Sequence, residues 1–222
     1  MIEGEYLKPG KFTESDDPAI IAFARAAAGA PADQVTTAVR VFEAVRDSVV
    51  YDPYCDFSLP ETFSGKAALS RGRAFCIPKA ALLTACARAV GIPARLGFAD
   101  VKNHLASPRL VKANNGDVFR WHSYTELYLE GKWVKATPAF DMALCLRCGI
   151  QPLVFDGRTD SIFHPYDQND QKHMEYVEDR GIYADVPLDA VLTTWREHSP
   201  ALFEPGYLVG ARSFAAEVQA VQ

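Results

Sequence analysis

The chain has 222 residues, 49% of them apolar and 23% charged, with a net charge of −5. It is long enough to bury a sizeable core without disulfide staples, and its acidic, unclustered charge argues against a nucleic-acid or anionic-membrane partner. No stretch approaches the ~20 apolar residues that span a bilayer. The opening MIEGEYLKPGKF lacks the basic-then-apolar pattern of a secretory signal, so the expectation is a cytoplasmic protein whose five cysteines, an odd number without framework spacing, stay reduced.

Residues 18–28 predict a helix, with cap candidates at Ser15 to Asp17 and Gly29 as its stop. A second helix is predicted over 33–49, where Val35, Val39, Phe42, Val45 and Val49 recur on one face. Tyr51-Asp52-Pro53 ends it, because a residue before proline avoids the helical region. Residues 54–73 predict a loop holding a short helix at 64–70. The clearest helix is 76–90, with Pro78 in its first turn and Gly91 and Pro93 past its end. Residues 94–101 are strand-like, and 102–121 predict a loop with a turn at Asn114-Asn115-Gly116. A hairpin follows, 122–129 and 132–137 flanking Glu130-Gly131. The tail predicts a Pro/Asp/His-rich loop at 156–173 and helices at 187–197 and 213–220. Helices first and an antiparallel sheet afterwards make an α+β fold. No repeat or linker divides the chain, so one domain is expected over 1–222, with its core at about 35–141 and a C-terminal extension over 142–222.

Cys76 sits where the turn Arg71-Gly72-Arg73 becomes a helix. Free N–H groups and the positive dipole end there favour the thiolate, which is the nucleophile, and Arg71, Arg73 and Lys79 are near in sequence. The same N–H groups are candidates for an oxyanion hole. Cys86 lies mid-helix and reads as core; Cys55 lies in a loop. Cys145 and Cys148 form a lone CxxC. A structural zinc site needs four ligands, and His164 and His173 are poorly spaced to complete one, so packing is expected rather than a metal. No metal or cofactor is expected. His122 opens a strand, on the face it shares with Tyr124, Glu126 and Tyr128. With a helix-start cysteine it becomes a candidate general base.

The segments Gly72 to Arg95 and His122 to Trp133 resemble the transglutaminase-like superfamily, a papain-like group that includes many bacterial proteins described as cysteine proteases. The carrying residues are Cys76 at a helix start, Arg88-Ala89-Val90-Gly91-Ile92-Pro93-Ala94-Arg95 at its end, and His122, Tyr124, Glu126, Tyr128 and Trp133, Tyr124 standing where the family has Trp. The resemblance implies a Cys-His-Asp triad on a papain-like α+β fold whose cysteine helix packs against the antiparallel sheet. It also implies acyl chemistry at a peptide or amide through a thioester. Cys76 and His122 carry over.

The acid does not. Its family position, four residues after the strand Trp and before Pro, is Thr137-Pro138 here, and the next carboxylate is Asp141. The third residue holds the histidine tautomer and stabilises the imidazolium. Thr137 offers the first service but little of the second. Asp141 offers both unless it caps a helix starting at Met142, and Asp100 or Asp117 are remoter candidates. Tyr124 and Glu126 are candidate substrate-binding residues, Glu126 alternatively pairing with an arginine. The expected function is a cysteine protease or amidase, or an acyl transferase, with Cys76 thiolate and protonated His122 as the resting pair. A catalytically weak binding or scaffolding module is the alternative. The segment 155–181 is a candidate lid or specificity loop.

Overall fold

Acidic caps open the first two helices. Asp17 accepts the N–H groups of Ala19 and Ile20 ahead of α1 (Pro18–Ala28), and Asp33 accepts that of Thr36 ahead of α2 (Gln34–Ser48). Each such cap contributes ~1 kcal/mol. The computed structural model describes residues 4–104, 106–163, 174–206, 208 and 214–219. Val35, Phe42, Val45 and Val49 are buried as their spacing requires, and Ala38 and Val41 widen the stripe.

Tyr51 does more than end α2. Strand β1 (Val50–Tyr51) pairs in parallel with β2 (Arg73–Ala74), and α3 (Gly65–Arg71), capped by Ser64, lies between them in sequence. Gly65 is obligatory, because a Cβ there would stand 2.9 Å from the Leu82 backbone. Leu82 belongs to α4 (Cys76–Ala89), where every residue from Ile77 to Arg88 is buried, so α4 is the central helix. Two cations are inside it. Lys79 Nζ donates to the carbonyls of Arg46 (2.9 Å) and Val49. Arg88 donates to the carbonyls of Ala94, Lys8 and Ala184, tying the start of the next strand and two distant segments to one helix end. Both are paired, as buried cations must be.

A four-stranded antiparallel sheet covers α4, with order β5-β4-β3-β6. Its strands are β3 (Ala94–Asn103), β4 (Val118–Leu129), β5 (Lys132–Ala136) and β6 (Met174–Tyr183). Glu130 (φ 49°) and Gly131 (φ 83°) close the β4–β5 hairpin with two left-handed residues, as a tight hairpin turn demands. Thr125 of β4 donates to the Ala80 carbonyl at 2.9 Å and contacts Thr84, and Leu127 and Leu129 join the core that α2 and α4 share. This is the expected α+β arrangement, with the cysteine helix against an antiparallel sheet.

The predicted loop at 102–121 contains the end of β3, α5 (Pro108–Ala113) and the start of β4. Of the two roles open to Asp141, it takes the helix cap, ahead of α6 (Met142–Arg147). In the 155–181 segment, 174–181 forms most of β6, while 164–173, with His164 and His173, lie outside the described residues. The chain continues through α7 (Leu188–His198) to α8 (Phe214–Gln219). No described helix is long and apolar enough to cross a membrane.

All five cysteines are free. Burial pushes the thiols of Cys86 and Cys145 up to about 12 and that of Cys76 to about 11. In the unfolded chain they ionise near ~8.5. Above that pH the unfolded state binds fewer protons than the native state, so stability falls as pH rises, by ~1.4 kcal/mol per pH unit for each such thiol. Burial lowers Lys79 to about 7, which acts the other way between there and ~10.4, but for one proton only. Guanidinium melts are therefore expected to lose several kcal/mol between about pH 8 and pH 10, and Cys86→Ala should flatten the slope by one thiol's share. A flat profile would contradict this account of the buried thiols.

Candidate active site

The start of α4 is left open at the sulfur. Its N-cap residue, Phe75, supplies no side-chain cap, and Pro78 has no N–H to offer. Lys79 N–H already bonds the Phe75 carbonyl. Burial opposes ionisation of the Cys76 thiol, while the backbone N–H groups of Ser123 from β4, of Ile77 and of Cys76 favour its anion. Burial wins and holds the thiol at about 11.

His122 is 7% exposed and pairs across the sheet with Ala99. Its ring stands 5.7 Å from that of Phe163 and 6.5 Å from that of Tyr176. Burial lowers the imidazole to about 4, and Nε2 is buried with no hydrogen-bond partner. Cys76 and His122 line one cavity of about 70 Å³, with Tyr51, Phe140, Met174 and Trp195 among its other walls. Such a volume holds a few waters or one small group.

Burial thus disfavours charge on both groups, lowering the imidazole and raising the thiol, which opposes the expected thiolate–imidazolium pair. The cations near in sequence do not change this. Lys79 is held by two carbonyls, and Arg73 pairs with Asp52 at 3.2 Å.

None of the candidate acids is brought to His122. Asp141 Oδ1 accepts the Leu144 N–H (2.9 Å) as the α6 cap, and Oδ2 accepts the Tyr51 N–H (2.8 Å). Asp100 is bound by Arg180 and by the Trp121 N–H, and Asp117 pairs with Lys102. Thr137 follows directly on Ala136, which pairs with Thr125. The register thus sets it across from Tyr124, a diagonal neighbour of His122 on the adjacent strand. Its Oγ1, like His122 Nε2, is buried without a hydrogen-bond partner. Tyr176 closes this corner, with its phenol beside Thr137.

The two candidate substrate-binding residues lie elsewhere. Tyr124 packs over Gly97, where a Cβ would meet its ring at 2.2 Å, and lines a separate cleft of about 330 Å³ with Lys135 and Tyr176. Glu126, 5% exposed, takes the Arg95 guanidinium at 2.6–2.7 Å, and Arg95 in turn stacks 4.0 Å over Trp133. Sequence reasoning missed the cavity walls Tyr51 and Trp195. They converge from β1 and α7, and no local spacing signals that. It also missed the strain beside His122. Trp121 adopts φ 64°, a conformation that costs a bulky residue ~1–3 kcal/mol.

The model of the transglutaminase-like superfamily matches residues 21–138, just over half of the chain, and that span contains Cys76, His122 and Thr137. A similar solved structure is "a Putative Cysteine Protease from Cytophaga hutchinsonii", 18% identical, with a TM-score of 0.47 over 80% of this chain and 53% of that one. The chain thus spans about half the length of that relative. No curated protein matches significantly.

Proposed function

From a chain that belongs to the transglutaminase-like superfamily, we propose a cysteine-dependent amidase or peptidase that works through a thioester, with Cys76 as nucleophile and His122 as general base. One observation carries the reading: a helix-start thiol, whose anion the neighbouring backbone N–H groups favour, shares a cavity with a buried imidazole.

The burial that opposes charge on both groups sets the sequence of events. His122 takes the Cys76 proton as the sulfur attacks the amide carbonyl, so the thiolate need not form in advance. The carbonyl oxygen becomes an oxyanion, for which the N–H groups at the start of α4 are the natural donors. The C–N bond then breaks, and the imidazolium returns its proton to the departing amine. Water captures the thioester in hydrolysis, regenerating thiol and imidazole; an amine would capture it in transfer. A weak or inactive binding module is the second reading, favoured by the unpartnered Nε2 of His122 and the threonine at position 137.

A peptide library incubated with the wild type and with Cys76→Ala tests this, read for both cleavage and incorporation of an added amine. The proposal expects cleavage that is lost in Cys76→Ala. Incorporation without cleavage would assign transfer, and identical behaviour of both proteins would leave the binding module.

A further inference from the structure

We propose that Asp100, clamped by Arg180, is a positioning residue for His122, acting through the Trp121 backbone and not through the imidazole. The inference rests on the reading of His122 as general base for its catalytic meaning, but its geometry stands independently.

The β3–β4 pairing slips at this point. Ala99 pairs with His122, yet Val101 pairs with Phe119, so two residues of β4, Arg120 and Trp121, face one residue of β3, Asp100. That count defines a β-bulge, a device that re-aims side chains beside sites. The bulge contains Trp121 at φ 64°, a conformation that a bulky side chain keeps only when its surroundings enforce it.

The enforcement is visible. Asp100 is 3% exposed. Its Oδ1 accepts the Trp121 N–H at 3.1 Å, so a side chain replaces the ladder bond that the bulge removes. Arg180 of β6 grips the same carboxylate with Nε (2.9 Å) and Nη2 (2.6 Å), a two-point geometry that fixes its orientation. The Trp121 ring is held too. Its Nε1 donates to Thr194, and the ring packs against both Phe98 and Tyr183, at 5.5 and 6.1 Å. The β3–β6 ladder also breaks register on both sides of Asp100, between Phe98 and Ala99 and again between Asp100 and Val101. The irregularity is thus centred on this carboxylate. In a strand, a slip of one residue turns side chains to the opposite face. A relaxed bulge would therefore take the His122 ring away from the cavity it shares with Cys76. His122 lacks a hydrogen-bond partner at Nε2, so its aim depends on the backbone and on packing against Phe163 and Tyr176.

The test is the His122 imidazole titration, followed by NMR in wild type, Asp100→Ala and Asp100→Asn. Alongside it, acetyl transfer from p-nitrophenyl acetate is measured, with each variant also placed in a His122→Ala background. In Asp100→Ala the ring leaves its buried slot and its midpoint rises from about 4 toward ~6.5, the value of an exposed histidine. Acetyl transfer falls about 10- to 100-fold in kcat at unchanged KM. Asp100→Asn keeps an acceptor for the Trp121 N–H and recovers most of both. In the His122→Ala background Asp100→Ala adds no further loss. Should Asp100→Ala not fold, Arg180→Met, which loosens the same carboxylate, takes its place with the same expectations. An unchanged His122 midpoint in the folded variant overturns the inference. So does an equal further loss in the His122→Ala background, which marks a merely structural ion pair. If wild type shows no Cys76-dependent acetyl transfer, the enzymatic reading fails, and the His122 midpoint still decides the positioning claim.

Discussion

Thr137→Asp is expected to raise the rate of acetyl transfer to Cys76 by about 10- to 100-fold and to move the His122 midpoint up from about 4. The reason is the pair of orphaned atoms at this corner. His122 Nε2 and Thr137 Oγ1 are both buried without hydrogen-bond partners, and Thr137 directly follows β5, the strand beside that of His122. A carboxylate beside an imidazolium typically raises its pKa by ~1–3 units, and a stronger base lowers the barrier for a proton that now moves steeply uphill. Charge, not hydrogen bonding, is the claimed cause, so Thr137→Asn should give little of the gain. The variant should also be less stable by several kcal/mol at neutral pH, because position 137 is 1% exposed and a buried carboxylate is costly until its partner is protonated. A rate increase paired with a stability loss would be hard to obtain any other way. Equal gains in the Asp and Asn variants would contradict the electrostatic reading.

His122→Ala is expected to lower the same rate by about 10²- to 10⁴-fold, the usual contribution of a general base, while leaving the fold intact. The two side chains act as one unit, so Cys76→Ala combined with His122→Ala should be no worse than Cys76→Ala alone. Added imidazole should restore part of the His122→Ala loss, since truncation to alanine vacates the volume of the ring beside the cavity that Cys76 lines. Steady-state rates with and without imidazole check this. A rate in His122→Ala equal to wild type would remove the histidine from the mechanism.

The site was legible in the sequence where chemistry and local structure coincide. Cys76 announces itself because proline and glycine bracket α4, and its placement at the helix start follows from those residues alone. His122 follows from the alternation of the hairpin strand. The hairpin turn is legible because two left-handed residues are needed there and Glu130-Gly131 supplies them. What escaped was set by distant partners. β6 carries polar residues on an edge and becomes a strand only by pairing with β3. The short α5 is too brief for periodicity to reveal. The burial of Cys76 and His122, which opposes charge on both, escaped as well, because burial is invisible in sequence. Asp141 is the instructive case. Its sequence position allowed a catalytic partner or a helix cap, and the structure gives both of its oxygens to backbone N–H groups.

The central claim is that Cys76 becomes acylated with help from His122. Its most direct measurement is intact mass and peptide mapping after brief exposure to p-nitrophenyl acetate near neutral pH. The account predicts one acetyl group per chain, mapped to Cys76, absent in Cys76→Ala and formed far more slowly in His122→Ala. Acetylation spread over Cys55 and surface lysines at equal rates in all three proteins would contradict it.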